Sequence, residues 1–160
     1  TTLKRINKKF ESEVYGIDVS KKAIAYAKEK NKVFNATVSS WENYLPKMKF
    51  DIVINGGYFY VTEEKYLMKA IDKLIALTKK NGFIIIWDYD SATNYTNKWK
   101  HDMRLRSYKR NLTRIFAKYY GDKLYLISKE LYFHDGKTKF NFAKFNKDSC
   151  CSLMVFQKLY

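Results

Sequence analysis

The sequence predicts an α/β protein with a doubly wound, mostly parallel sheet that closes in an antiparallel strand pair. Three observations predict it. Short β-branched runs alternate with segments of helical periodicity between Val14 and Trp87. The run from Phe83 to Trp87 is apolar without a break, as in a parallel strand covered on both faces. Two further strand-like stretches, Gly121 to His134 and Cys150 to Tyr160, end the chain. At 160 residues there is room for one domain, read here as spanning 1–160.

The elements follow in order. Leu3, Ile6 and Phe10 stand at helical spacing among lysines and predict a short amphipathic helix over 1–10. Val14 to Asp18 is a strand ending in an acid. Ser20 is the N-cap of a helix over Lys21 to Lys30, and Lys32 to Ser39 alternates as a second strand. Trp41 to Lys49, with the only proline at Pro46, is a loop. Phe50 to Ile54 is a third strand running into Asn55-Gly56-Gly57, where glycines permit a close approach of backbone to ligand. Thr62 is expected to cap the next helix, with Glu63 and Glu64 in its first turn and Leu67, Ala70, Ile71, Leu74 and Leu77 as its apolar stripe. Asn81-Gly82 is expected to end it, before the fourth strand. Residues 91–102 read as a polar loop and Met103 to Tyr120 as a helix.

The formal net charge is +15, from 31 basic residues of which 26 are lysine. Lysine accompanied by many asparagines, tyrosines and phenylalanines matches an AT-rich codon bias, so bulk charge is weak evidence for nucleic acid. The arginines are more telling, because Arg104, Arg106, Arg110 and Arg114 fall close together. On the expected helix Arg106, Arg110 and Arg114 would share one face, where guanidinium forks match phosphate. The longest purely apolar run is five residues, too short to span a bilayer, and no charged-then-apolar leader opens the chain. With only two cysteines, this points to a cytoplasmic protein. No spacing of His, Cys, Asp or Glu suggests a metal site, and neither a nucleophile elbow nor a P-loop is present.

From Val14 to Asp90 the chain resembles the Rossmann-like, class I S-adenosylmethionine-dependent methyltransferases. Gly16-Ile17-Asp18-Val19-Ser20 is similar to the family's second motif, Phe50 to Gly57 to its fourth strand and following loop, and Leu74 to Trp87 to the helix, turn and fifth strand beyond. The resemblance implies S-adenosylmethionine as cofactor. It implies that Asp18 and Val19 meet the ribose, that Ser40 and Trp41 stand at the adenine, and that Asn55, Gly56 and Gly57 complete the cofactor site. A carboxylate suits a diol because it accepts from both hydroxyls. The family's glycine-rich first motif is missing, so the sheet is expected to lack its first strand and the chain to be an N-terminally incomplete copy of a larger one. Tyr58 to Thr62, Asp88-Tyr89-Asp90, Lys100-His101 and Ser107-Tyr108-Lys109 further resemble a bacterial subgroup associated with sugars and surface glycans.

Methyl transfer from a sulfonium needs alignment, exclusion of water and, for a hydroxyl acceptor, a base. His101 is the expected base, because an imidazole titrates near neutrality, with Asp88 as its catalytic partner. Tyr58, Tyr60, Asp90, Arg106, Tyr108, Lys109 and Arg110 are the expected substrate-binding residues. The expected acceptor is a small, sugar-like or phosphorylated molecule methylated on oxygen. An RNA methyltransferase and a noncatalytic remnant, or a subunit that completes a partner, are the competing expectations, with nucleic acid the weaker.

Overall fold

The computed structural model describes residues 11–30, 34–99, 102–133 and 150–160. The helix expected over 1–10, Lys100, His101, and the connection over 134–149 with His134 lie outside the described residues. The chain forms two compact units, Thr1–Lys47 and Met48–Tyr160.

The first unit is a strand-helix-strand crossover. Strand β1 (Val14–Asp18) leads through Ser20, whose Oγ accepts from the Ala23 N–H at 3.2 Å, into helix α1 (Lys21–Lys30) and back to β2 (Phe34–Val38). β1 and β2 pair in parallel, with Asp18 opposite Val38. Val14, Ile24 and Ala36 are buried between the strands and the helix.

The second unit holds a four-stranded sheet in the order β3-β4-β8-β7. β3 (Phe50–Gly56) is parallel to β4 (Thr78–Tyr89), and helix α2 (Glu64–Leu77) connects them. β8 (Cys150–Lys158) runs antiparallel to β4, and β7 (Leu124–Phe133) antiparallel to β8, which is the expected closing pair. The protein is therefore α/β with a mixed sheet. Among the described residues, β1 pairs only with β2 and β3 only with β4. The core joins Leu67, Ile71 and Leu74 of α2, Ile84 and Ile86 of β4, and Met154 of β8, each at most 2% exposed. Helix α3 (Leu112–Tyr120) adds Phe116, whose ring lies 4.7 Å from that of Phe156.

Four readings of the sequence need correction. Helix α2 starts after Glu63, not Thr62; Thr62 is buried, and its hydroxyl donates to the Tyr58 carbonyl at 2.8 Å to close the preceding turn. The same helix ends at Leu77, where the buried Thr78 hydroxyl donates to the Leu74 carbonyl and the chain becomes extended, so Asn81-Gly82 sits in an irregularity of β4 instead of a helix cap. β4 is not buried along its whole apolar run, since Phe83 is 38% and Trp87 52% exposed.

The largest error concerns 91–120. Residues Tyr95–Lys98 (β5) and Arg106–Lys109 (β6) form an antiparallel ribbon, and only Leu112–Tyr120 is helical. Arg106, Arg110 and Arg114 therefore do not share a helical face. Tyr95 and Thr96 in one stretch and Tyr108 in the other suit a strand better than a helix.

Gly82 yields a first prediction. A Cβ there would stand 2.8 Å from the Asp51 carbonyl oxygen and 3.0 Å from that of Lys79, both backbone atoms. Gly82→Ala is expected to destabilise the protein by roughly 1–3 kcal/mol, read by urea unfolding. A variant as stable as the parent would show that β3 and β4 part easily at this point.

Candidate functional site

In the first unit, two parallel strands end side by side and their following loops start together. The Ser39 N–H donates to the Asp18 carbonyl at 3.1 Å, which ties the turn after β2 to the end of β1. Asp18 Oδ1 accepts from the Ser20 N–H at 2.7 Å, and Oδ2 has no hydrogen bond among the described residues. Val19 beside it is 71% exposed. Ser40 Oγ accepts from the Asn43 N–H at 3.3 Å, fixing the turn that carries the half-buried Trp41. These four expected cofactor residues thus occupy one end of the strand pair. An acid with one free oxygen next to a half-buried indole suits a ribose and its base.

In the second unit, Asn55 and Gly56 end β3, and Gly57 turns away from it with φ +70° while its N–H donates to the Trp87 carbonyl at 2.8 Å. A Cβ on Gly57 would press on the Tyr60 ring at 3.3 Å in a backbone conformation that side chains avoid. Asn55 is buried, and its Nδ2 has no hydrogen-bond partner among the described residues. An orphaned buried donor at a strand end is what a ligand oxygen would satisfy.

The turn Phe59–Val61, with Tyr58 as its N-cap, carries Tyr60 to Tyr89 at the end of β4 and Lys109 at the end of β6. The Tyr60 ring meets Tyr89 edge-on at 5.2 Å and is parallel to Trp99 within 9° at 6.1 Å. The ammonium of Lys109, a residue 5% exposed, lies over the Tyr89 ring, 2.7 Å from its centroid, and 5.7 Å from that of Tyr60. Burial first, and then neighbouring Cys151, pushes the Tyr89 phenol up to about 12. Tyr108, Lys109 and Arg110 also border an open cleft of about 160 Å³ with Glu64, Asn94 and Thr96.

Asp88, expected as the catalytic partner of His101, is 3% exposed and is a buried acceptor of backbone hydrogen bonds. Its Oδ2 accepts from the Phe59 N–H at 2.8 Å and its Oδ1 from the Tyr89 N–H at 2.7 Å. Burial raises its pKa to about 6 against the lowering by those N–H groups and Lys109. Asp90, read as a substrate residue, instead caps α3 by accepting from the Leu112 N–H at 3.0 Å, and pairs with Lys129 at 2.6 Å. Arg110, read as a phosphate ligand, is 2% exposed with its guanidinium engaged by Glu64 and two carbonyls. Arg106 is exposed on β6, opposite Lys98. Trp99, parallel to Tyr60, and Lys129 of the edge strand β7, paired with Asp90, were not singled out in the sequence; the strand formers Tyr95, Thr96 and Tyr108 were the only signal near Trp99. Among the described residues no group of His, Cys, Asp and Glu could hold a metal ion, and no helix is long and apolar enough to cross a membrane.

The raised Asp88 pKa gives a second prediction. A carboxyl that holds its proton more tightly when folded adds stability below its ordinary range near pH 4, and that contribution is lost as pH rises through about 6. The loss is on the order of 2–3 kcal/mol. Asp88→Asn, with no proton to lose, is expected to flatten this decline in melting temperature between pH 4 and 7. Parallel profiles for the two proteins would refute it.

Residues 2–130 match the family described as Methyltransferase domain. Solved structures similar to the chain include the N-methyltransferase NodS from Bradyrhizobium japonicum, in complex with S-adenosyl-L-homocysteine, at 14% identity and a TM-score of 0.62, covering 91% of this chain and 66% of that one. The Burkholderia thailandensis 1,6-didemethyltoxoflavin-N1-methyltransferase, with bound 1,6-didemethyltoxoflavin and S-adenosylhomocysteine, aligns at 8% identity and a TM-score of 0.70, covering 96% and 64%. An rRNA methylase from Streptococcus thermophilus aligns at 17% identity and a TM-score of 0.58, covering 92% and 76%. The chain thus spans a little under two thirds of the first two proteins' lengths. No curated protein matches it in sequence.

Proposed function

This chain belongs to the methyltransferase domain family, and on that footing we propose that it transfers a methyl group from S-adenosylmethionine to a small acceptor. The observation that carries the reading is the end of β1 in the first unit, where Asp18 keeps one carboxylate oxygen without a hydrogen bond among the described residues. That oxygen fits a ribose diol as an acceptor. S-adenosylmethionine, when bound, supplies a methyl on a sulfonium that is open to in-line displacement. In the first unit Asp18 accepts from the ribose hydroxyls with Val19 beside it, and Ser40 and Trp41 meet the adenine; in the second unit, taken by itself, Asn55 Nδ2 is a donor for a ligand oxygen, and Gly56 and Gly57 let a backbone approach. A family match running through both compact units supports reading 1–160 as one domain.

The finer reading is oxygen methylation of a sugar-like or otherwise anionic acceptor, in the cytoplasm. Tyr58, Tyr60, Tyr108 and Lys109 form the acceptor wall, where tyrosine faces attract the methylsulfonium and Lys109 supplies positive charge. His101 is carried from the sequence as the base. The test incubates the protein with methyl-labelled S-adenosylmethionine and the small-molecule fraction of its host cell. Label is expected in a hydroxylated, negatively charged metabolite, and label confined to amines would overturn the oxygen reading.

The likeness to an rRNA methylase is what supports a second reading, methylation of RNA. It requires label in ribosomal or transfer RNA and an affinity that falls steeply with salt.

A further inference from the structure

The turn after Asn55-Gly56-Gly57 is gripped on both sides of one residue. The Phe59 N–H donates to Asp88 Oδ2 at 2.8 Å, from the end of β4. Its carbonyl accepts from Arg110 Nη1 at 2.8 Å, from the end of β6, and Nη2 of the same guanidinium reaches the Thr62 carbonyl at 2.7 Å. Nε is held by Glu64 Oε2 at 2.8 Å, which fixes the plane of the fork. Phe59 is 1% exposed and both gripping residues 3% or less. Tyr58 and Tyr60 flank Phe59, so whatever fixes its peptide groups fixes where the two tyrosines stand.

We propose that Arg110 and Asp88 are positioning residues, a clamp that holds the turn over 58–62 so that Tyr58 and Tyr60 shape the acceptor wall; this rests on the methyl-transfer reading above. The turn needs such help. A three-residue 3₁₀ segment has weak internal hydrogen bonds, here 3.3 Å from Val61 N–H to the Tyr58 carbonyl and 3.2 Å from Thr62 N–H to that of Phe59. It also follows Gly57, the residue of the loop with the widest backbone freedom. Arginine is suited to the task because a planar fork can bind two carbonyls and a carboxylate at once, whereas a lysine ammonium cannot span them in that geometry. Asp88 serves the turn with one oxygen, so Asp88→Asn can keep the Phe59 hydrogen bond, while its amide NH2 gives up the one that the second carboxylate oxygen accepts from the Tyr89 N–H.

The test compares Arg110→Lys, Asp88→Ala and Asp88→Asn with the parent by amide hydrogen exchange, by calorimetry with S-adenosylhomocysteine, and by the label-transfer assay above. Arg110→Lys and Asp88→Ala are expected to speed exchange at Phe59, Val61 and Thr62 at least about tenfold more than at Ile84 and Ile86 in β4. Asp88→Asn is expected to stay closer to the parent's protection at Phe59 than Asp88→Ala. S-adenosylhomocysteine affinity is expected to stay within about twofold throughout, while label transfer falls about tenfold or more in Arg110→Lys. Exchange raised equally in turn and sheet would overturn the clamp in favour of a general stabilising role, as would undiminished label transfer. If the parent itself binds no S-adenosylhomocysteine, the methyl-transfer reading fails, and the exchange comparison still decides whether the turn is clamped.

Discussion

Asp18→Ala is expected to weaken S-adenosylhomocysteine binding by roughly 1–3 kcal/mol, a loss of about tenfold to more than a hundredfold. Hydrogen bonds from hydroxyls to an ionised carboxylate are stronger than those between neutral groups, and Asp18 stands at the C-terminal end of a parallel strand, where open α/β sheets bind ligands. The substitution also removes the acceptor for the Ser20 N–H, so part of its effect is on the turn into α1. Asp18→Asn separates the two, because an amide oxygen can still accept from Ser20 but carries no charge. Calorimetry is expected to find both variants weakened and urea unfolding to find only Asp18→Ala destabilised. Equal affinity in all three proteins would remove Asp18 from the site.

Arg110→Met is expected to cost about 3 kcal/mol of stability, the largest single effect among the residues expected to bind substrate. Methionine fills much of the volume but leaves the Phe59 and Thr62 carbonyls without their donors in a buried setting. Each unsatisfied carbonyl costs on the order of 1–3 kcal/mol. The ion pair to Glu64 adds little, because Glu64 is largely in water. Urea unfolding reads the loss directly. A change below about 0.5 kcal/mol would mean that the turn finds other partners, in the range of an ordinary surface substitution.

The sequence was most readable where local pattern and burial agree. Val14 to Asp18, the helix capped by Ser20 and the stripe Leu67, Ala70, Ile71 and Leu74 are found where periodicity puts them, because each buries one regular face. It misled where long-range contacts decide. The strand formers Tyr95, Thr96 and Tyr108 are too few to announce a ribbon over Tyr95 to Lys109, read as a loop leading into a helix; the outcome follows from Lys109 and Tyr60 meeting Tyr89, residues far apart in the chain. The charged candidates show the same limit. Asp88, Asp90 and Arg110 have the composition of an active site, yet their carboxylates and guanidinium are taken up by a turn and a helix end, uses that a sequence does not distinguish from catalysis. Asp18 and Asn55 were easier to place because a strand end fixes them regardless of what packs nearby.

The central claim is that the end of β1, with Asp18, binds S-adenosylmethionine. Titration of ¹⁵N-labelled protein with S-adenosylhomocysteine tests it most directly, with the amides of Val19 and Ser20 as reporters. Both amide signals are predicted to shift along a single saturable curve, while those of Ile84 and Ile86 stay in place. Signals of Val19 and Ser20 that remain unmoved would contradict the claim.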